Sequence, residues 1–128
     1  MTLAYWCVLI ALFLPYLSTV TAKAMNGGLS PKHNHDPRAF LASLEGMGRR
    51  ANNAQLNSFE VTPAFSAAVI IAHLAGGAEQ LLIDQLAMAF VFSRVLYMIC
   101  YLADWASLRS LVWLVGMGLI VSLFVVSA

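Results

Sequence analysis

Four long apolar stretches, joined by shorter polar ones, run the length of this chain. The first, Leu3 to Ala22, holds no charged residue. The second is apolar from about Phe59 to Gly77, the third from Leu81 to Trp105 and the fourth from Leu111 to Ala128. About 20 mostly apolar residues suffice for a helix to cross a bilayer, so each stretch predicts one membrane-spanning helix. Asp36-Pro37 reads as a helix start, with aspartate as N-cap and proline in the first turn. That signal carries the second helix back to residue 37. The predicted helices are 3–22, 37–75, 81–105 and 108–128. Gly76-Gly77-Ala78 makes one tight turn and the segment from Asp104 to Arg109 another. The expected fold class is all-α, an antiparallel four-helix membrane bundle. A helix from Pro37 to Ala75 would be about 58 Å long at 1.5 Å per residue. Either its first half projects beyond the membrane, or Gly46 and Gly48 break it.

A polar stripe enters two of these helices. Arg50, Asn53, Asn57 and Glu60 stand at spacings of 0, 3, 7 and 10, which places them on one helical face. Arg94, Tyr97, Tyr101 and Asp104 repeat the same spacing in the third span. Arg94 falls near the middle of its span, where a lipid-facing charge costs at least about 2.5 kcal/mol, so it is expected to face the bundle interior and find a partner. By depth the nearest carboxylate is Glu60, whereas Asp84 lies close to the opposite surface. One reading is an internal Glu60–Arg94 ion pair, with the asparagines as interhelical hydrogen-bond links. The other is a polar cavity between the second and third helices that opens to the cytoplasm, where ligand and water complete the hydrogen bonding. The abundance of donors favours a ligand with carboxylates.

Composition agrees with the membrane assignment. Hydrophobic residues make up 61% of the chain and charged residues 10%, against roughly 25% charged in an ordinary soluble domain. The net charge of +1 gives no basic excess for nucleic acid. The first basic residue, Lys23, follows the first apolar stretch, whereas a signal peptide carries its positive charge ahead of the apolar core. The first stretch is therefore read as a membrane helix, with Pro15 tolerated inside it. Of the seven Lys and Arg residues, Arg94 lies within a span. The other six (Lys23, Lys32, Arg38, Arg49, Arg50 and Arg109) all fall on the two connections of one side. Positive-inside counting puts that side in the cytoplasm and both termini outside. His33, His35 and Asp36 on the long first connection read as polar loop residues, His73 as a bundle or interface residue, and Cys7 and Cys100 as small apolar fillers. No metal site is expected.

The ordered residues resemble a known family. Arg-Ala-x-x-Ala-x-x-Asn-x-x-Glu-x-x-Pro-x-Phe stands here as Arg50 to Phe65, followed by Arg94, Tyr97 and Tyr101, and then by Arg109-Ser110. This pattern is similar to the MAPEG family, the membrane-associated proteins in eicosanoid and glutathione metabolism. DPRAF (36–40) and AQLNSFE (54–60) resemble its small bacterial members, which implies a bacterial inner membrane. The resemblance implies a four-helix protomer assembled as a homotrimer, with glutathione as co-substrate bound between protomers near the cytoplasmic helix ends. It implies that Asn57, Glu60, Arg94, Tyr97 and Tyr101 bind the ligand, Glu60 facing its ammonium group; Arg50 and Asn53, on the same polar stripe, are expected to join them. It implies that Arg109 and Ser110 lie near the thiol, where they would favour the thiolate that attacks an electrophile. A small lipophilic substrate or lipid would arrive through the lipid-facing cleft between protomers. Two positions depart from the pattern. Trp113 stands where several competent relatives carry a tyrosine a few residues after the Arg-Ser pair, and Leu56 stands where some members have a further arginine. Two function classes stay open. One is a glutathione-dependent transferase or peroxidase acting on lipophilic electrophiles; the other is a non-catalytic membrane trimer holding a lipid or thiol.

Overall fold

A computed structural model describes all residues from 1 to 128. Five α-helices and one 3-10 turn make up the chain: α1 (Leu3–Met25), the turn Pro31–Asn34, α2 (Pro37–Ala42), α3 (Gly46–Ala75), α4 (Gln80–Leu102) and α5 (Ala106–Val126). Of these, α1, α3, α4 and α5 are long and apolar enough to cross a membrane.

The long helices alternate in direction. Asp84 Oδ1, in the second turn of α4, accepts a hydrogen bond from Ala4 N at the start of α1, at 2.8 Å. The Tyr5 ring lies 5.1 Å from that of His73, near the end of α3. The starts of α1 and α4 and the end of α3 thus share one end of the bundle. The other end gathers the end of α1, α2, the start of α3 and the turn between α4 and α5. That second end carries the candidate site.

Small residues let the helices approach closely, as packing in lipid favours. Ala4, Cys7 and Ala11 of α1 meet Phe65, Ala68 and Ala72 of α3, Ala87 and Phe90 of α4, and Ile120 and Leu123 of α5 in one core. Phe65 stacks on Phe90 with centroids 3.9 Å apart. Outside this core the spans stay open. No more than 39% of the apolar window of any span is buried, so Phe13, Leu74, Leu81, Phe92 and Val125 face outward. This is the surface of a helical bundle whose solvent is lipid.

Three boundaries differ by more than two residues from those read in the sequence. First, α1 runs past Ala22 to Met25, because the stem of Lys23 can lie along apolar surface while its charge reaches water. Asn26 Nδ2 closes this end by donating to Ala22 O at 2.7 Å.

Second, the stretch 37–75 is two helices. Asp36 caps α2 as expected, its Oδ1 accepting from Ala39 N at 3.0 Å, but α2 stops at Ala42 and α3 begins at Gly46 with φ +55. The corner falls just ahead of the glycine pair. It brings Leu41 and Leu44 into one small cluster with Ala22 and Ala51. In a straight helix Leu44 and Ala51 would stand about 10 Å apart along the axis. Gly48 then permits a close approach, since a Cβ there would collide with Asn26 Nδ2.

Third, α4 ends at Leu102 rather than Trp105. Asp104 adopts φ +61 and is exposed, so it leaves the face it was expected to share with Arg94, Tyr97 and Tyr101.

Candidate functional site

The end of α4 sets the geometry of the site. Trp105 N donates to Cys100 O at 2.9 Å and Asp104 N to Tyr101 O at 3.2 Å. These two bonds around a left-handed residue form a Schellman motif, which turns α5 sharply back along α4. Arg109 and Ser110 therefore lie on the first two turns of α5. The Arg109 guanidinium carbon comes to rest 4.3 Å from the centroid of the Tyr101 ring. Tyr101 meets Tyr97 edge-on at 5.3 Å, and the Arg94 guanidinium carbon lies 4.1 Å from the Tyr97 centroid. The two phenols thus stand side by side with a cation against each.

Asn57, Tyr97, Tyr101, Arg109, Ser110 and Trp113 line a polar pocket of about 260 Å³. Five of the six were expected at the site from the sequence. Helical spacing explains the convergence: Tyr97 and Tyr101 are four apart, as are Arg109 and Trp113, so each pair shares a face. Every lining side chain can donate a hydrogen bond. Ser110 directs its own hydroxyl to Ala106 O at 3.2 Å, which leaves its oxygen lone pairs. The pocket suits an acceptor-rich, anionic ligand. Along the same two helices runs an apolar groove of about 540 Å³, whose lining includes Phe92, Leu96, Ile99, Leu111 and Val115.

The other expected residues are placed differently. Each of Arg50, Asn53, Asn57 and Glu60 immediately precedes a buried residue, namely Ala51, Ala54, Ser58 and Val61. The polar stripe therefore lies about 100° around the helix from the buried one, at the edge of the bundle. Arg50 turns to α4, its Nη2 donating to Leu102 O at 3.3 Å. Asn53 is half-buried and is not among the pocket's lining residues. Glu60 is exposed, and its Oε2 accepts from Asn57 Nδ2 at 3.5 Å.

The Glu60–Arg94 ion pair is not formed. Arg94 is buried with 4% exposure, and its Nη2 donates to Asn57 Oδ1 at 2.9 Å and to Ser58 Oγ at 3.0 Å. Both partners are neutral, and the aromatic face of Tyr97 supplies the rest. Arg94 thus sits beneath the pocket rather than on its wall. Ser58 is the participant that sequence reasoning missed. Its signal was the one hydroxyl in the buried run Ala51, Ala54, Ser58, Val61.

Several of the remaining polar residues have local partners. Asp84 caps α1 and accepts from Gln80 Nε2 at 2.8 Å, and Gln80 Oε1 lies 2.8 Å from His73 Nδ1. The His33 ring packs 4.3 Å from that of Phe40. Cys7 and Cys100 are buried free thiols.

The family model described as the MAPEG family matches residues 3–128. No curated protein and no solved structure gives a match.

Proposed function

The chain belongs to the MAPEG family, and from that membership we propose that it binds glutathione or a similar thiol in the polar pocket and conjugates it to lipophilic electrophiles. Membership makes the chain a membrane protein of the glutathione and eicosanoid kind. The observation that carries the finer reading is the convergence of six polar side chains on one 260 Å³ pocket, five of them able to donate a hydrogen bond into it, with the guanidinium of Arg109 at its wall. A tripeptide thiol offers two carboxylates and a sulfur to such a surface. Arg109 and Ser110 would stand beside the sulfur. A neighbouring cation lowers a thiol's pKa, and the thiolate is the attacking form. In the proposed step the thiolate attacks an electrophilic carbon, the new carbon–sulfur bond forms, and a leaving group such as halide departs with the bonding pair. The thiol proton passes to water. A lipophilic acceptor reaches the site from the bilayer, along surfaces such as the apolar groove of α4 and α5.

A second reading is favoured by one observation. Trp113 lines the pocket at the place where the resemblance to competent relatives leads one to expect a tyrosine. Indole donates one hydrogen bond but offers no acidic proton. In that reading the protein binds a thiol or lipid without turning it over.

Calorimetry of the detergent-solubilised protein with glutathione, followed by a conjugation assay with an aryl halide, separates these outcomes. Binding with turnover supports the transferase, and binding without turnover supports the carrier. No heat of binding at millimolar glutathione would remove both as thiol proteins.

A further inference from the structure

Arg94 is part of the polar constellation but is not one of the residues that wall the pocket. One nitrogen, Nη2, carries two hydrogen bonds, to Asn57 Oδ1 at 2.9 Å and to Ser58 Oγ at 3.0 Å. The hydrogen of the Ser58 hydroxyl is already committed, since it is donated to Ala54 O at 2.9 Å. Ser58 therefore meets Arg94 purely as an acceptor. Its backbone carbonyl is held in turn by Thr62 Oγ1 at 2.7 Å, so the acceptor stands on a braced part of α3.

The consequence falls on Asn57. An amide side chain can present either its oxygen or its NH₂ to a neighbour, but a guanidinium, which only donates, requires the oxygen. Arg94 thus turns Oδ1 inward and leaves Nδ2 outward, 3.5 Å from Glu60 Oε2. The same guanidinium lies over the Tyr97 ring at 4.1 Å and limits how that ring can swing. Asn57 and Tyr97 are two of the six pocket residues.

We propose that Arg94 is a positioning residue which, anchored on Ser58, makes Asn57 a hydrogen-bond donor toward the pocket and fixes the plane of Tyr97. The direct partners of the ligand are then Asn57 and Tyr97, not the buried arginine. This assignment rests on the reading of the pocket as a ligand site. It accounts for a guanidinium kept in an apolar span without a carboxylate. Binding groups need their geometry fixed by the side chains behind them.

The test uses the full chain in detergent, with ¹⁵N-labelled arginine and asparagine. In the ligand-free protein, Arg94 should give slowly exchanging guanidinium signals and Asn57 two well-separated amide protons. Ser58→Ala and Arg94→Gln should each collapse the Asn57 pattern, whereas Ser58→Thr, which keeps the hydroxyl, should preserve it. Glutathione titrations then compare Asn57→Ala, Arg94→Gln and the double variant. Each single change should weaken binding by roughly tenfold, the usual weight of a hydrogen bond near a charge. The double variant should be little weaker than either single one, because positioning acts through Asn57. Losses that multiply to about a hundredfold would make Arg94 an independent ligand contact and overturn the proposal. If the unaltered protein does not bind glutathione, the pocket reading fails by itself. The resonance data still decide the role of Arg94, and an unchanged Asn57 signal in both Ser58→Ala and Arg94→Gln would sink it. Should Arg94→Gln fail to fold, Ser58→Ala carries the comparison.

Discussion

Arg50 shows how a residue of the right type and spacing can serve another end. It shares a helical stripe with Asn57, yet its Nη2 goes to Leu102 O, the last carbonyl region of α4, where a cation is favoured by the helix dipole. Its Nε is buried without a hydrogen-bond partner, so the contact is not an optimised one. Arg50→Met should lower the stability of the protein by about 1 kcal/mol, read as a lower unfolding temperature in detergent. Glutathione affinity per folded molecule should hardly change. Lost affinity with unaltered stability would return Arg50 to the ligand set. Asn57, Tyr97 and Tyr101 were legible because their chemistry is unusual inside an apolar chain, whereas Arg109 and Ser110 were legible only through the family pattern. Ser58 was not, because serine is common in membrane helices and stands one position round from the conspicuous stripe. Of the two readings left open for Glu60, the ion pair with Arg94 fails for a related reason: depth alone suggested it, while the roughly 100° offset of its stripe turns Glu60 outward.

At the scale of elements, the four spans could be read directly, since length and apolarity decide what crosses a bilayer. Their ends could not, because these depend on contacts between helices. Ser43, Leu44 and Glu45 carry no obvious helix breaker, and the corner they form exists to bring Leu41 and Leu44 against Ala22 and Ala51. Asp104 in its left-handed conformation ends α4 three residues before the apolar pattern does. Without that turn Arg109 would not return to the Tyr101 ring. The corner between α2 and α3 offers a direct check. Gly46 has φ +55 with open space where a Cβ would project, so Gly46→Ala brings conformational strain without a collision. A loss of about 1–2 kcal/mol is expected. Gly118 in α5 also has nothing near its would-be Cβ but no left-handed backbone, and Gly118→Ala should cost nothing. Thermal unfolding of the two variants side by side measures the difference. Equal stability would mean that the chain passes the corner in an ordinary helical conformation.

For the molecule as a whole, sidedness and assembly are linked. Six of the seven basic side chains lie on the site end of the bundle or its connections, and the seventh, Arg94, is buried. That end is expected to be cytoplasmic, and a reporter fused after Ala128 should behave as periplasmic or lumenal. Activity of a cytoplasm-only reporter would invert the arrangement. The same end has an unfinished edge. Glu60 is exposed midway along the 30-residue α3, Asn53 and Asn57 are half-buried beside it, and the pocket with its two tyrosines opens nearby. Hydrocarbon cannot satisfy such groups, each of which would cost several kcal/mol if left unpaired. A second copy can cover them, and the family pattern implies that there are three. The expected state in mild detergent is a homotrimer in which Glu60 meets a neighbour or the ammonium group of a shared ligand. A ligand that binds only the assembled form raises its stability by mass action, by about 2.7 kcal/mol at a hundred times its dissociation constant. Glutathione should therefore raise both the unfolding temperature and the resistance of the trimer to dilution in detergent. Glu60→Gln should weaken that response more than it weakens the folded protomer. Light scattering corrected for bound detergent gives the protein mass directly. A monomer that binds glutathione as tightly as the assembled protein would show that the pocket is complete within one chain.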